Sequence, residues 1–325
     1  MPGLKIVFLG TPEIACPFLD RMVSDGYSVS GVVSQPDRPR GRGMNMCCTP
    51  VKNAAGRHCL DMFQPCGHEE LSSVISDIGP DLGVVVAYGR KIRKEVLGVP
   101  RLGFINIHFS LLPAYRGAAP VQWALINGET STGVTAFWLD EGMDTGPIYA
   151  SRPVAISQDD YAPDLFRKTA AAGLELLSEC LSGISAGRII RTPQTGSAVT
   201  APRITPADTW LDFGGSAASA RDLVRGLACG PRARFAVATN GRRTEVQVLR
   251  CSLPGPRGAG AGAGVITEIG RQNGFFIQCR DGELLVEEVQ PEGKKPMKAL
   301  DFANGARLRP GDRVGGRGAA ERDCP

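Results

Sequence analysis

The chain has 325 residues, with 37 Lys and Arg against 33 Asp and Glu for a formal charge of +4, and 42% hydrophobic against 22% charged residues. That is a globular balance, long enough for two cores, and no apolar run approaches the roughly 20 residues of a membrane-spanning helix. Met1-Pro2-Gly3-Leu4-Lys5 leads straight into a short apolar run without the basic head and cleavage site of a secretory signal, so a cytoplasmic chain with no membrane partner is expected.

Leu4 to Leu9 is apolar and ends in Gly10-Thr11-Pro12-Glu13, which predicts a buried strand, a turn and a helix to about Asp25 with Pro12 near its first turn. G-T-P-E lacks the G-x-G-x-x-G spacing that brings backbone to a pyrophosphate, so no dinucleotide is expected. Ser28 to Ser34 reads as a β-branched strand, followed by a Pro/Gly loop, Gln35 to Gly43, carrying Arg38, Arg40 and Arg42 against the single Asp37. Further strands are expected at Asp81 to Tyr88, Phe104 to His108, Gly133 to Leu139 and Ile148 to Ile156, then a long helix from about Tyr161 to Leu181. Strands that are apolar throughout and alternate with helices predict an α/β domain, Rossmann-like, with a mostly parallel sheet covered on both faces.

This domain is assigned to residues 1–188. Residues 189–208 hold several Pro, Ser and Thr without periodicity and read as a linker. Residues 209–314 open with a helix at Ser216 to Ala228 and continue as short strand-like runs divided by Gly and Pro, which predicts a smaller C-terminal β-barrel of OB-like type. Gly255 to Gly264 is a low-complexity loop, and 315–325 is expected to be a disordered tail. Residues 1–208 carry 19 basic against 20 acidic side chains and 209–325 carry 18 against 13, so the halves differ as −1 and +5. A basic accessory domain fits a polyanionic partner, and it fits a solvated basic surface equally well.

Ten cysteines are scattered without a C-x-x-C pair and read as free thiols. His58, Cys59, Cys66 and His68 are zinc-type side chains at a spacing that matches no structural-zinc pattern, so no metal is expected. The chemistry concentrates between Gly103 and Gly146. A two-residue period sets Asn106 and His108 on one face of their strand and Ile105 and Ile107 on the other. Alone, that pair could equally be a hydrogen-bonded polar couple in the core.

The run from Ile105 to Pro120, I-N-I-H-F-S-L-L-P-A-Y-R-G-A-A-P, resembles the signature of the 10-formyltetrahydrofolate-dependent formyltransferases, and D-E-G-M-D-T-G from Asp140 to Gly146 resembles their second acidic motif. The resemblance implies Asn106, His108 and Asp144 as the catalytic trio, and Ser110, Leu111, Leu112 and Pro113 as a folate-site element. Tyr88, in V-V-A-Y-G, resembles the segment beside the family's pterin pocket, and a structural tyrosine fits it nearly as well. Amine attack on a formyl carbon builds negative charge on the formyl oxygen; an amide and a protonated imidazole can both donate to it, and a nearby carboxylate can favour the imidazolium or relay the amine's proton. Arg116 could meet a substrate carboxylate or phosphate, or stand solvated.

Within that family, Q-P-D-R-P-R-G-R-G from Gln35 to Gly43 resembles the acceptor-stem loop of methionyl-tRNA formyltransferases, which implies tRNA contacts by Arg38, Arg40 and Arg42, with Arg42 matching the loop's functional arginine. Met44-Asn45-Met46 stand where relatives often carry lysines. Thr205 to Phe213 and Gln290 to Met297 also resemble the tRNA enzyme, whereas Ala228-Cys229-Gly230-Pro231 replaces an N-P-W-P-like turn. The resemblance implies 10-formyltetrahydrofolate as donor, methionyl initiator tRNA as partner and a monomeric enzyme. An amino-sugar nucleotide N-formyltransferase is the alternative, with a formyl-folate hydrolase and a catalytically dead RNA-binding relative behind it.

Overall fold

The structure is a computed structural model that describes residues 3–40, 45–239, 242–255, 261–270, 272 and 274–316. The chain divides into two compact units, the first taking in Met1–Pro120, Ser131–Ala155 and Phe166–Pro202, the second Val121–Thr130, Ile156–Leu165 and Arg203–Pro325.

In chain order the first part of the molecule holds β1 (Lys5–Gly10), α1 (Cys16–Ser24), β2 (Ser28–Val33), β3 (Arg38–Arg40), β4 (Asn45–Cys47), α2 (Pro50–Arg57), β5 (Met62–Phe63), α3 (His68–Ile78), β6 (Leu82–Val86), α4 (Lys94–Leu97), β7 (Phe104–His108), β8 (Arg116–Gly117), α5 (Pro120–Ile126), β9 (Ser131–Trp138), β10 (Ile148–Ala155), α6 (Ala162–Ser185) and β11 (Thr200–Ala201). Its main sheet runs β10-β9-β7-β6-β1-β2-β5. The members from β5 to β7 are parallel, and β9 and β10 close one edge antiparallel. β6 is buried at every position because helices cover both faces, whereas the edge strand β10 largely alternates between more and less exposed positions. Leu71, Ile75 and Ile78 of α3 and Val96 of α4 pack with Val7, Leu9, Val33, Val85 and Phe104 on one face. Phe18 of α1 and Ile107 of β7 lie against Gly173 of α6 on the other.

The expected strands appear within a few residues of their predicted limits, and Phe104–His108 agrees at both ends. The helix expected after Pro12 begins as a 3-10 turn, Glu13–Ala15, before α1 takes over. Residues Arg38–Arg40, read as part of a loop, pair antiparallel with Asn45–Cys47.

The second unit contains α7 (Ala217–Gly226), β12 (Arg234–Thr239), β13 (Arg242–Ser252), β14 (Ile266–Ile269), β15 (Phe275–Gln278), β16 (Glu283–Pro291), β17 (Met297–Lys298), α8 (Ala299–Ala306) and β18 (Val314–Gly315). It is a curled antiparallel sheet in the order β14-β15-β16-β13-β12-β18, with β17 on β16. Both ends of that sheet are held by one segment: Ile266 of β14 exchanges hydrogen bonds with Asp312 and Gly311, while Val314 and Gly315 pair with β12. The core beneath is formed by Phe213, Val224, Phe235, Val248, Phe275, Val286 and Phe302 among others. Part of the expected low-complexity loop and tail, residues 256–260 and 317–325, lies outside the described residues. Among the described residues, no helix is long and apolar enough to cross a membrane.

A buried cation joins segments of this unit. The Arg225 side chain is 4% exposed and donates to Asp160 O (2.8 Å), Ser157 O (2.7 Å) and Asp222 Oδ1 (2.8 Å), and Arg221 shares the same carboxylate. Replacing it removes the guanidinium donors from two carbonyls, and one of the two cations that meet the Asp222 carboxylate, in a low-dielectric setting. Arg225→Leu should therefore cost about 3 kcal/mol of stability, read as a lower midpoint in urea unfolding; an unchanged midpoint would mean that water reaches these groups.

Candidate active site

Alternation along β7 decides which side chains meet solvent. Phe104 is in the core under α3 and α4; two residues on, on the same face, Asn106 is half-buried, and His108 is 6% exposed. β7 is held in register by β6 (Val85 opposite Asn106) and by β9 (Phe137 opposite Asn106, Thr135 opposite His108), with the Phe137 ring edge-on to the imidazole at 6.3 Å.

His108 Nε2 lies 2.9 Å from the carbonyl oxygen of Tyr115. A carbonyl only accepts, so Nε2 carries the proton and donates, which leaves Nδ1 as the nitrogen that can gain or lose one. Nδ1 is 3.7 Å from Asp144 Oδ2, and the same oxygen accepts from Gly117 N at 2.8 Å. Asp144 is mostly buried, its side chain 14% exposed. The Asp144 carboxylate thus faces Nδ1 while the Gly117 amide meets part of its charge.

The two loops that converge here adopt unusual backbone. Tyr115 and Asp144 have φ of 60° and 53°, in the left-handed region. Gly117 has φ 127°, and a Cβ there would stand 2.5 Å from Ala201 O, so only glycine lets β8 run beside β11. The folate-site stretch is braced from β9: Thr135 Oγ1 donates to Ser110 O (2.7 Å) and accepts from Leu112 N (3.1 Å). Ser110 is fully buried and its hydroxyl is spent on Ala114 O at 2.6 Å, while Leu111 and Pro113 are half-exposed and Leu112 is buried. Tyr88 is 2% exposed with its phenol raised above the ordinary value by burial. Its carbonyl accepts from Thr11 Oγ1 (2.9 Å) and Gln35 Nε2 (3.0 Å), which ties the end of β6 to the turns after β1 and β2.

Sequence reasoning missed Gln194, in the segment read as a linker. Its Nε2 donates to Asp144 O and Gly146 O, both at 2.8 Å, and its Oε1 accepts from Arg116 Nε (3.2 Å) and Nη2 (2.7 Å). Nearby, Thr192 bridges to Ile148 and Val199 O accepts from Arg116 N. The only available signal was a lone Gln in a Pro/Ser/Thr run.

Of the arginine loop, Arg38 is exposed and reaches Gln35 Oε1 at 3.3 Å, and Arg40 lies in β3 opposite Asn45. Arg42, with Met44, lies outside the described residues. The loop's base is anchored by Asp37, which accepts from Lys52 Nζ (2.6 Å), Gln64 Nε2 (2.7 Å) and Thr49 N (3.2 Å). The Lys52 and Gln64 hydrogen bonds hold its carboxyl at about 2.

Among the described residues no cluster of three or more His, Cys, Asp or Glu could hold a metal, and His58 instead pairs with Asp20 at 2.6 Å. Burial pushes the Cys180, Cys251 and Cys279 thiols up to about 12, far from a nucleophile's range.

The family model described as formyl transferase matches residues 4–181, and that described as formyl transferase, C-terminal domain, matches 203–307. Similar proteins include the methionyl-tRNA formyltransferases of Elusimicrobium minutum (39% identical over 95% of this chain and 99% of that one), Symbiobacterium thermophilum (41%, 98% of each) and Halorhodospira halophila (42%, 95% and 99%). Among solved structures, an N-formyltransferase from Helicobacter canadensis in complex with folinic acid and dTDP-3-aminofucose shares the fold (TM-score 0.67, 18% identity, 87% of this chain and 98% of that one). HypX from Aquifex aeolicus in complex with tetrahydrofolic acid does too (TM-score 0.64, 17% identity), this chain covering 94% of itself but spanning about half, 48%, of HypX. Two matching domain models in order and end-to-end identity near 40% carry one conclusion: the chain belongs to the formyl transferase family, among the methionyl-tRNA formyltransferases.

Proposed function

We propose that the chain transfers the formyl group of 10-formyltetrahydrofolate to the amino group of methionine on initiator tRNA, with residues 1–188 as the catalytic domain, 189–208 as its connection and 209–314 as a tRNA-binding domain. The observation that carries the chemistry is the imidazole of His108, its Nε2–H committed to Tyr115 O and its Nδ1 3.7 Å from the Asp144 carboxylate. In this reading the Asn106 amide and a proton on His108 Nδ1 stabilise the charge that grows on the formyl oxygen. Asp144 supports the imidazolium and, directly or through water, takes the proton that the attacking amine releases. That proton is returned to the departing folate nitrogen, so no covalent enzyme intermediate is required. Leu111 and Pro113, half-exposed beside these groups, offer the folate an apolar edge, with Tyr88, Ser110 and Leu112 fixing the backbone behind it.

Arg38, Arg40 and Arg42 contact the tRNA through its phosphates or base edges. All three catalytic residues come from one chain, so the reading needs no second copy, and a charged tRNA acceptor agrees with the cytoplasmic expectation. The deciding assay offers 10-formyltetrahydrofolate with methionyl initiator tRNA, with an amino-sugar nucleotide, and with no acceptor. Formylation of the charged tRNA alone supports the proposal; transfer only to the sugar, or donor loss without acceptor, would replace it.

Three variants test its parts. His108→Ala should abolish transfer while near-native circular dichroism is kept; normal turnover would remove the imidazole from the mechanism. Asn106→Ala should lower kcat by about 10²–10³. Arg42→Ala should raise the tRNA KM far more than the folate KM, and equal shifts would take the loop out of the RNA contact. Stability should also depend on pH through Asp37. Because the folded Asp37 carboxyl is depressed to about 2, the stability it supplies is present above its unfolded value near about 3.9 and is lost as pH falls through the folded one. The gap in thermal midpoint between the unmutated chain and Asp37→Asn should be full at pH 5–7 and close between pH 4 and 2; a gap that persists at pH 2 would refute the linkage.

A further inference from the structure

Residues 185–200 are exposed at every position but one, Gln194. A polar side chain that turns inward alone from an exposed segment does so for specific partners, and those of Gln194 are unambiguous. Carbonyl oxygens of Asp144 and Gly146 accept; the Arg116 guanidinium only donates. One orientation of the amide alone satisfies both sets, and in it the two N–H donors are both used and the oxygen accepts twice. The partners belong to different loops: Arg116 follows the strand that carries Asn106 and His108, and Asp144 to Gly146 form the acidic loop.

We propose that Gln194 is a positioning residue for formyl transfer, clamping the acidic loop to the segment after β7 so that the Asp144 carboxylate stays beside His108. The residue at stake is held at φ 53°, where a non-glycine residue needs outside support, and Gln194 supplies it at that residue's own carbonyl. Without the clamp the carbonyls of Asp144 and Gly146 lose the two amide N–H donors of Gln194, and the Asp144 carboxylate keeps the Gly117 N contact at Oδ2. An ångström of drift there lengthens the already 3.7 Å approach to Nδ1, the distance on which charge stabilisation depends. The inference rests on the proposed formyl transfer, which the unmutated chain's turnover tests separately and first.

The test uses the full chain, 10-formyltetrahydrofolate and methionyl initiator tRNA. Gln194→Met keeps the length and removes all four hydrogen bonds; Gln194→Glu keeps the acceptor for Arg116 and sets a carboxylate oxygen against two carbonyls. Both should lower kcat about 10-fold or more, with both KM values little changed and near-native urea midpoints. In an Asp144→Asn background, followed by single turnover with enzyme in excess, Gln194→Met should have no further effect, because it acts through the carboxylate already removed. A merely structural role predicts the same fractional loss in both backgrounds. That result overturns the proposal, as does unmutated kcat in Gln194→Met or full activity in Asp144→Asn alone.

Discussion

Between its parallel partner β6 and its antiparallel partner β9, the five residues of β7 have no freedom to rotate, so each side chain is committed to a face by its position. Ile107 is spent against α1 and α6, and Phe104 on the opposite core under α3 and α4. Asn106 and His108 extend the Phe104 face. Core and site are therefore two ends of one face of one strand, and a slip of a single residue would bury the imidazole under the wrong helices and expose an isoleucine in its place.

A rigid strand fixes only half of the arrangement, since Asp144 arrives on a loop. That loop is held by hydrogen bonds to backbone: Gly117 N at its carboxylate, and the Gln194 amide at its carbonyls. Backbone partners are sensible here because a side-chain cation in their place would compete with His108 for the carboxylate. The left-handed conformations at Tyr115 and Asp144 cost on the order of 1–3 kcal/mol each. They are offset by what they allow, namely a carbonyl aimed at Nε2 and a carboxylate aimed toward Nδ1, which settle the tautomer before any substrate arrives.

The parts of this design that were legible in the sequence are those written in local pattern. Continuous apolar runs announced β1, β6 and β7, and the alternation N-I-H announced which residues share a face. Tertiary pairings left no such trace. Arg38–Arg40 reads as a loop because Pro39 and the flanking glycines break any strand pattern, yet it pairs with Asn45–Cys47, a few residues further along the chain. Asp37 reads as a lone acid among arginines, and only the fold brings Lys52 and Gln64 to it. Gln194 and the β11 pairing were hidden because an exposed Pro/Ser/Thr run satisfies the same composition whether it hangs free or is stitched to a neighbour.

The charge surplus of the second half needs a similar correction in kind. Net charge counts every arginine equally, but Arg225 is buried and shares the Asp222 carboxylate with Arg221. Arg234 and Arg243 likewise share Glu245, and both lie near the face of Trp210, at 5.7 and 5.4 Å from its ring centroid. The Arg225 cluster sets two cations on one anion and so retains about one positive charge, which is spent on backbone carbonyls inside the unit. Part of the +5 is therefore structural. A polyanion reads the field of the exposed groups, screened over about 8 Å at physiological salt. The buried Arg225 is withdrawn from that field and serves instead the fold that displays the exposed groups.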